Sequence, residues 1–217
     1  VAAAMLMQGG LAPWVAAGVA LLIGLAVGAV NAFIVQVIRI PSLIATLAMG
    51  WVLHGLASAI SEGKQIVGLP IKDSFFEILG GGSFAGLPVA VWVLIIVVAV
   101  LTVVLRRTPF GFRVREIGSN EEAAAFSGIP INRVKVTAFL LCGFLAAISG
   151  MLGLAFYTSG DPTAGSGYEL FAVAGAVIGG LVLMPVIGLG GVILIGAALD
   201  MVFGVLLLRG SRAGPSR

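Results

Sequence analysis

Charge is scarce in this chain. Asp, Glu, Lys and Arg make up 10% of its 217 residues, against about 25% in soluble domains. Cysteine is reduced to Cys142, which excludes an intrachain disulfide and leaves the redox compartment unread. Histidine is reduced to His54, and with the sole thiol distant from it no metal-ligand set is readable. No Ser/His/acid arrangement stands out either. The only Gly-Lys pair, Gly63-Lys64, is followed by Gln65 and has Ser58 where a phosphate-binding loop needs its first glycine. The chain therefore reads as a non-enzyme without cofactor or metal, and any ATP chemistry must come from another subunit. The net charge of +3 reads as loop bias in a membrane protein, not as nucleic-acid binding.

Long apolar runs are present instead. Hydrophobic residues reach 60% and the mean hydropathy is +1.19. Pro88–Leu105 runs without a charge, about 27 Å as a helix, close to a bilayer core. Open strands cannot satisfy their backbone in lipid. The fold class is thus an all-α polytopic membrane protein, a single transmembrane domain over 1–217. Apolar blocks lie at 12–38, 41–60, 88–105, 137–157, 169–187 and 190–208, giving about five to six transmembrane helices. Residues 1–8 read as the tail of an earlier span. The chain opens on Val1 in apolar sequence, without Met or a basic leader, and is expected to be truncated at its N-terminus.

Basic residues orient these spans. Arg39, then Arg106, Arg107, Arg113, Arg115, Arg133 and Lys135, then Arg209, Arg212 and Arg217 mark cytoplasmic segments. Loops 61–87 and 159–168 hold Lys64 and Lys72 against Glu62, Asp73, Glu77 and Asp161, with Glu169 at the edge. They are expected outside. This bookkeeping needs an odd number of crossings after residue 168. The breakers Gly179-Gly180, Pro185, Gly188 and Gly190-Gly191 therefore suggest that 169–187 is partly re-entrant or a broken half-helix.

Glycine is abundant, at 32 residues. Spacings such as Gly24-x-x-x-Gly28, Ala146-x-x-x-Gly150 and Gly175-x-x-x-Gly179 let helices approach closely in lipid. They point to a compact bundle and carry no substrate information. The polar residues inside spans are Asn31, Gln36, Thr46, His54, Ser149, Tyr157 and Asp200. Asn31 and Thr46 are the candidates for lining a translocation pathway, with interhelical hydrogen bonding as the plainer reading.

The polar island 106–135 is the most informative stretch. Pro109 disfavours helix at Thr108 and ends the preceding span. Ser119-x-x-Glu122 reads as a capping box, with Asn120 also able to cap. Glu121 and Glu122 suit a positive helix end, Ala123-Ala124-Ala125 is a narrow strong helix former, and Gly128 with Pro130 forms the stop. The result is a helix of about two turns, too short to stand alone. It reads either as a solvated connector or as a docking element, and the small-residue face flanked by Glu121, Glu122 and Phe126 favours docking.

The same residues resemble a known family. Thr108-Pro-Phe-Gly111-Phe-Arg113, Ile117-Gly118-Ser-Asn120-Glu121-x-Ala123-Ala124 and Gly128-Ile129 are similar to the cytoplasmic loop of ABC importer permeases of the ribose/xylose type. Asn31, Ile40-Pro41-Ser42, Ile44-Ala45-Thr46-Leu47, Gly143-x-x-Ala146-Ala147, Gly167-Tyr168-Glu169-Leu170 and Ala176-Val177-Ile178-Gly179-Gly180 match too, so the resemblance covers about 24–180. It implies that Gly118, Asn120, Glu121, Glu122, Ala123, Ala124 and Gly128 form a coupling helix. It further implies an ABC ATPase subunit, a second permease copy and an extracytoplasmic sugar-binding protein as partners. His54 stands where the family usually has Arg, and Leu181–Pro185 and Asp200 depart from its pattern. The expected function is permease for a monosaccharide such as ribose or xylose, in the inner or plasma membrane. A branched-chain amino-acid permease is the near alternative. A self-contained secondary transporter, using Asp200 as its coupling acid, is the distant one.

Overall fold

The computed structural model describes residues 1–69, 73–84 and 86–187, with 84 and 179–187 as backbone only. The described chain is helical. In order it forms α1 (Ala2–Gln8), α2 (Pro13–Phe33), a π-helical turn (Ile34–Ile38) and α3 (Ser42–Ile60). A short α4 (Ser74–Phe76) and a second π-helical turn (Glu77–Gly81) follow, then a two-stranded hairpin, β1 (Ser83–Phe84) and β2 (Leu87–Pro88). The remainder is α5 (Val89–Arg107), α6 (Pro109–Ser119), α7 (Glu121–Phe126), α8 (Ile131–Tyr157) and α9 (Tyr168–Ile187).

Four helices among the described residues are long and apolar enough to cross a membrane: Pro13–Ile38, Ser42–Ile60, Val89–Arg107 and Ile131–Tyr157. Their outer faces carry large apolar side chains such as Leu22, Trp51, Val52 and Ile96 in exposed positions. Water would not tolerate such a surface, and lipid does. The chain is an all-α polytopic membrane protein. By contact the chain divides into two units, Val1–Val91 with Glu116–Ala164, and Trp92–Arg115 with Gly165–Arg217.

The first unit is built on α2 against α8. A Cβ on Gly24 would lie 2.5 Å from the Gly143 carbonyl oxygen and 2.6 Å from Ala147 Cβ, and one on Gly28 would lie 2.5 Å from the Phe139 oxygen. The two helices therefore run antiparallel with backbone on backbone. Glycine is required at both positions because any side chain would push them apart. Here the expected close packing has a specific address.

The α3–α5 connection is not a simple surface loop. Ile66, Leu69, Phe75 and Phe76 join Ala3, Ala4, Met7, Ala16, Ala17, Leu154 and Ala155 in one buried cluster. Asp73 caps α4 by accepting from the Phe75 N–H at 3.0 Å. Phe75 is fully buried, with Trp14 edge-on at 5.3 Å and Phe76 at 5.2 Å. Trp14 Nε1 donates to Ser74 Oγ at 3.1 Å. A backbone bridge between Ile66 and Gly160 and a Gln65–Ser159 hydrogen bond of 2.9 Å tie this segment to the C-terminal end of α8.

In the second unit, Thr108 Oγ1 accepts from the Gly111 N–H and donates back to the Val104 oxygen, and Gly111 sits against the backbone of Leu105. The turn between α5 and α6 is thereby closed tightly. The basic residues Arg113 and Arg115 lie on α6, a helix inside the stretch expected to be a polar loop. Helix α9 corrects the expected break in 169–187: its backbone is uninterrupted from Tyr168 to Ile187. Two adjacent glycines cost a helix about 2 kcal/mol of propensity, less than exposing unpaired backbone to lipid. Gly188, Gly190, Gly191, Asp200 and the block 190–208 lie outside the described residues.

Candidate functional site: a pinned helix at the start of α8

Helix α7 is a single compact element, and its start differs from the sequence reading. Asn120 is its N-cap, with extended backbone (φ −157°, ψ 109°), and its Oδ1 accepts from the Ala123 N–H at 3.0 Å. Ser119 is instead the last residue of α6, so the Ser119–Glu122 capping box does not form. The physical reason is that α6 runs on through Ser119, its helix bonds continuing to the Asn120 N–H, which bonds the Glu116 oxygen at 3.1 Å. Only Asn120 is then free to adopt the extended cap geometry. Glu121 and Glu122 occupy the first turn, as expected.

The far end closes as a Schellman motif. The Gly128 N–H bonds the Ala125 oxygen at 3.0 Å and the Ile129 N–H bonds the Ala124 oxygen at 3.1 Å. Gly128 holds φ +77°, the left-handed conformation this motif needs. Pro130 then serves as N-cap of α8. Four residues, Ser127 to Pro130, therefore separate the end of α7 from the start of α8, and the chain turns back within them.

One ion pair fastens α7 to α8. Lys135 Nζ meets Glu121 Oε1 at 2.6 Å. Ala124 is 4% exposed and Val134, on the first turn of α8, is 6% exposed. The small-residue face is thus divided: Ala124 faces inward, whereas Ala123, Ala125, Glu122 and Gly128 are exposed. Phe126 is 93% exposed, a nearly naked aromatic ring on the tip of a pinned helix. Sequence reasoning gave Phe126 only a flanking place; its exposure required the helix phase that Asn120, as cap, sets. Gly118 lies in the last turn of α6, exposed, one residue before the junction. A shallow groove beside the tip is lined by Ala125, Gly128, Ile129, Pro130, Ile131, Asn132 and Arg133.

The pathway candidates separate. Thr46 Oγ1 donates to the carbonyl oxygens of its own helix, Ser42 at 2.9 Å and Leu43 at 3.2 Å. That is local back-bonding, which satisfies the hydroxyl within α3. Asn31 is half-buried, and its Oδ1 is closed off from solvent without a hydrogen-bond partner among the described residues. The two residues are not brought together by any hydrogen bond among the described residues. His54 stacks edge-on to Trp51 at 6.3 Å.

Comparison with known proteins follows the same lines. The family model for the permease component of branched-chain amino acid transport systems matches residues 1–212. The chain is 38% identical over 159 residues to the L-arabinose transport system permease protein AraH of Escherichia coli K12, covering 73% of this chain and 48% of that protein. It is 38% identical over 167 residues to the ribose import permease protein RbsC of Haemophilus influenzae, covering 76% and 52%. Against RbsC of Bacillus subtilis it is 39% identical over 150 residues, covering 69% and 46%. The chain spans about half the length of these curated relatives. No solved structure matches it. With a family model over nearly its whole length, the chain belongs to the branched-chain amino acid transport system / permease component family.

Proposed function

We propose that this chain is the membrane-spanning part of an ATP-driven importer for a monosaccharide of the ribose or arabinose type. Helix α7 would be its coupling element to a separate ATPase subunit. The observation that carries this reading is α7 itself: a helix too short to be stable alone, capped by Asn120, stopped by Gly128 and pinned by Lys135. It leaves Phe126 unpacked at its tip. A lone exposed aromatic on a rigid support has the form of a binding anchor. The sugar permeases named above support the substrate class.

On this reading segment 106–135 and the C-terminus face the cytoplasm, as the basic residues favour. The Ile66–Gly160 end of α8 faces outward. A second permease copy completes the pore, a binding protein delivers the sugar outside, and ATP is hydrolysed only in the partner. Gly118, Asn120, Glu121, Glu122, Ala123, Ala124 and Gly128 act together, with Ala124 seating the helix and the exposed residues meeting the partner. Asn31 remains the pathway candidate, and Thr46 is the weaker one because its hydroxyl is already satisfied.

The test is co-purification of the full-length permease with its ATPase. Retention with Glu121–Gly128 intact and loss when that segment is scrambled supports the reading; equal retention refutes it. A branched-chain amino-acid importer is the second reading, favoured by the description of the matching family. Competition of radiolabelled sugar uptake by unlabelled ribose, arabinose or leucine separates the two.

A further inference from the structure

The turn from α5 into α6 gathers charge of one sign. From Arg106 to Ser119 the sequence holds four arginines against the single acid Glu116. Arg107, Arg113 and Arg115 are exposed, and none of them has an ion-pair partner among the described residues. Covered and open positions on α6 separate by helix phase. Gly111 is buried and Phe110 and Val114 are half-buried, whereas Phe112 is 56% exposed beside Arg113 and three residues before Arg115. Arg115 Nε donates to the Gly111 carbonyl oxygen at 3.3 Å, which steadies the guanidinium while using one of its five donors. The outer surface of this helix is therefore one aromatic ring between two guanidinium groups.

The fold fixes where that surface lies. Arg107 ends α5, an apolar helix long enough to cross a bilayer, and α6 does not carry the chain straight away from it. Leu105 and Gly111 would stand about 9 Å apart along the axis of a straight helix. Instead, a Cβ on Gly111 would collide with the Leu105 carbonyl oxygen and Cα. The chain thus folds back at Thr108 onto the end of the span, and the Thr108 hydroxyl joins the Val104 oxygen to the Gly111 N–H. Arg107, Phe112, Arg113 and Arg115 are held close to the level where α5 leaves the hydrocarbon, which is where lipid phosphates lie. A protein partner could meet exposed arginines at any height above the membrane. The fold-back onto the end of a span favours headgroups.

We propose that the α5–α6 elbow binds the headgroup of an anionic phospholipid in the leaflet where α5 ends. Arg107, Arg113 and Arg115 supply planar guanidinium donors that match phosphate oxygens. Their apolar stems lie along the hydrocarbon edge while the charged heads reach the phosphate layer. Phe112 enters the boundary between headgroups and acyl chains, as apolar residues of interfacial helices do. Basic clusters directly beside a span select anionic lipid by this combination of charge and position. The inference uses only the membrane-spanning fold, so it stands or falls apart from the coupling role of α7.

The experiment is native mass spectrometry of the full-length permease in detergent, titrated with phosphatidylglycerol, phosphatidylcholine of the same acyl chains, or glycerol phosphate. Phosphatidylglycerol is expected to bind about tenfold or more tightly than phosphatidylcholine, and Arg107→Gln, Arg113→Gln and Arg115→Gln each to weaken it about fivefold. Lys64→Gln, which removes a charge from the α3–α5 connection, should leave that preference unchanged. Equal binding of the two lipids, or the same loss in Lys64→Gln, overturns the proposal. Displacement of the lipid by an equal concentration of glycerol phosphate also overturns it, because the site would then serve a free phosphate. Arginine variants that keep the lipid preference but lose co-purification with the ATPase assign the elbow to that subunit and overturn it as well. The wild-type protein gives a test without any variant. Raising the salt from about 0.05 to 0.5 M should weaken phosphatidylglycerol and spare phosphatidylcholine, and an equal response of the two lipids refutes the site.

Discussion

Lys135 Nζ and Glu121 Oε1 lie 2.6 Å apart across the reversal between α7 and α8. The first residue of the short helix is thereby fixed to the second turn of a membrane span. Both side chains are more than a third exposed, at 37% and 54%, so their attraction is screened and contributes at most about 1 kcal/mol to folding. What the pair supplies is orientation. Lys135→Met is expected to change the unfolding free energy by less than about 1 kcal/mol; on the coupling role proposed for α7, it should also reduce ATPase stimulation by sugar-loaded binding protein. Denaturant unfolding and ATPase assays on the assembled transporter read the two effects separately.

Phe126 and Ala124 are expected to behave oppositely. Phe126→Ala removes a ring that packs on almost nothing, so stability should stay within about 0.5 kcal/mol while ATPase co-purification drops. Ala124→Leu forces bulk into a closed site and should destabilise by about 1–3 kcal/mol. Equal stability loss in both variants would show that the helix phase assigned here is wrong.

Gly128 holds φ +77°, a region that costs a β-branched residue about 1–2 kcal/mol. Gly128→Val is therefore expected to fray the end of α7 and loosen the reversal into α8. Hydrogen exchange at the amides of residues 128 and 129, both bonded back into α7, should accelerate in the variant while the amides beyond the first turn of α8 stay unchanged.

Gly24→Ala puts a Cβ 2.5 Å from a carbonyl oxygen of α8. Backbone cannot yield as a flexible side chain does, so the α2–α8 contact must open. A loss of about 1–3 kcal/mol or more is expected, seen as a lowered unfolding midpoint in nanodiscs. Gly50→Ala, inside α3 at a site where a Cβ meets nothing within 4 Å, should instead raise the midpoint slightly through alanine's higher helix propensity.

Asp161 Oδ1 accepts from the Thr163 hydroxyl at 2.6 Å and the Thr163 N–H at 2.7 Å. These bonds, the side-chain one foremost, hold its pKa below the ordinary 3.8. A lowered carboxylate pKa stabilises the fold above the ordinary value, and that contribution disappears as pH falls through the lowered one. Protection of the Thr163 amide should thus be flat from pH 7 to 5 and decline below 3.8. Asp161→Ala should abolish that dependence.

Much of this molecule is written in local sequence. Apolar runs long enough to cross a bilayer demand helices because, short of a closed barrel, nothing else satisfies a backbone in lipid. Gly128 followed by Pro130 demands a stop wherever it occurs. The spans, the two-turn helix and its end were legible for that reason. The choice of Asn120 over Ser119 as cap was not, because it depends on how far α6 extends, and adjacent capping residues compete on nearly equal terms. Tertiary structure alone decided that Ala124 turns inward while Phe126 stands free. It also decided that Gly24 and Gly28, among many glycines, are the ones that meet another backbone. The sinking of the α3–α5 connection into the core around Phe75 belongs with them. Those outcomes are set by which surfaces find each other across distant stretches of chain, and periodicity along one helix carries no record of that meeting.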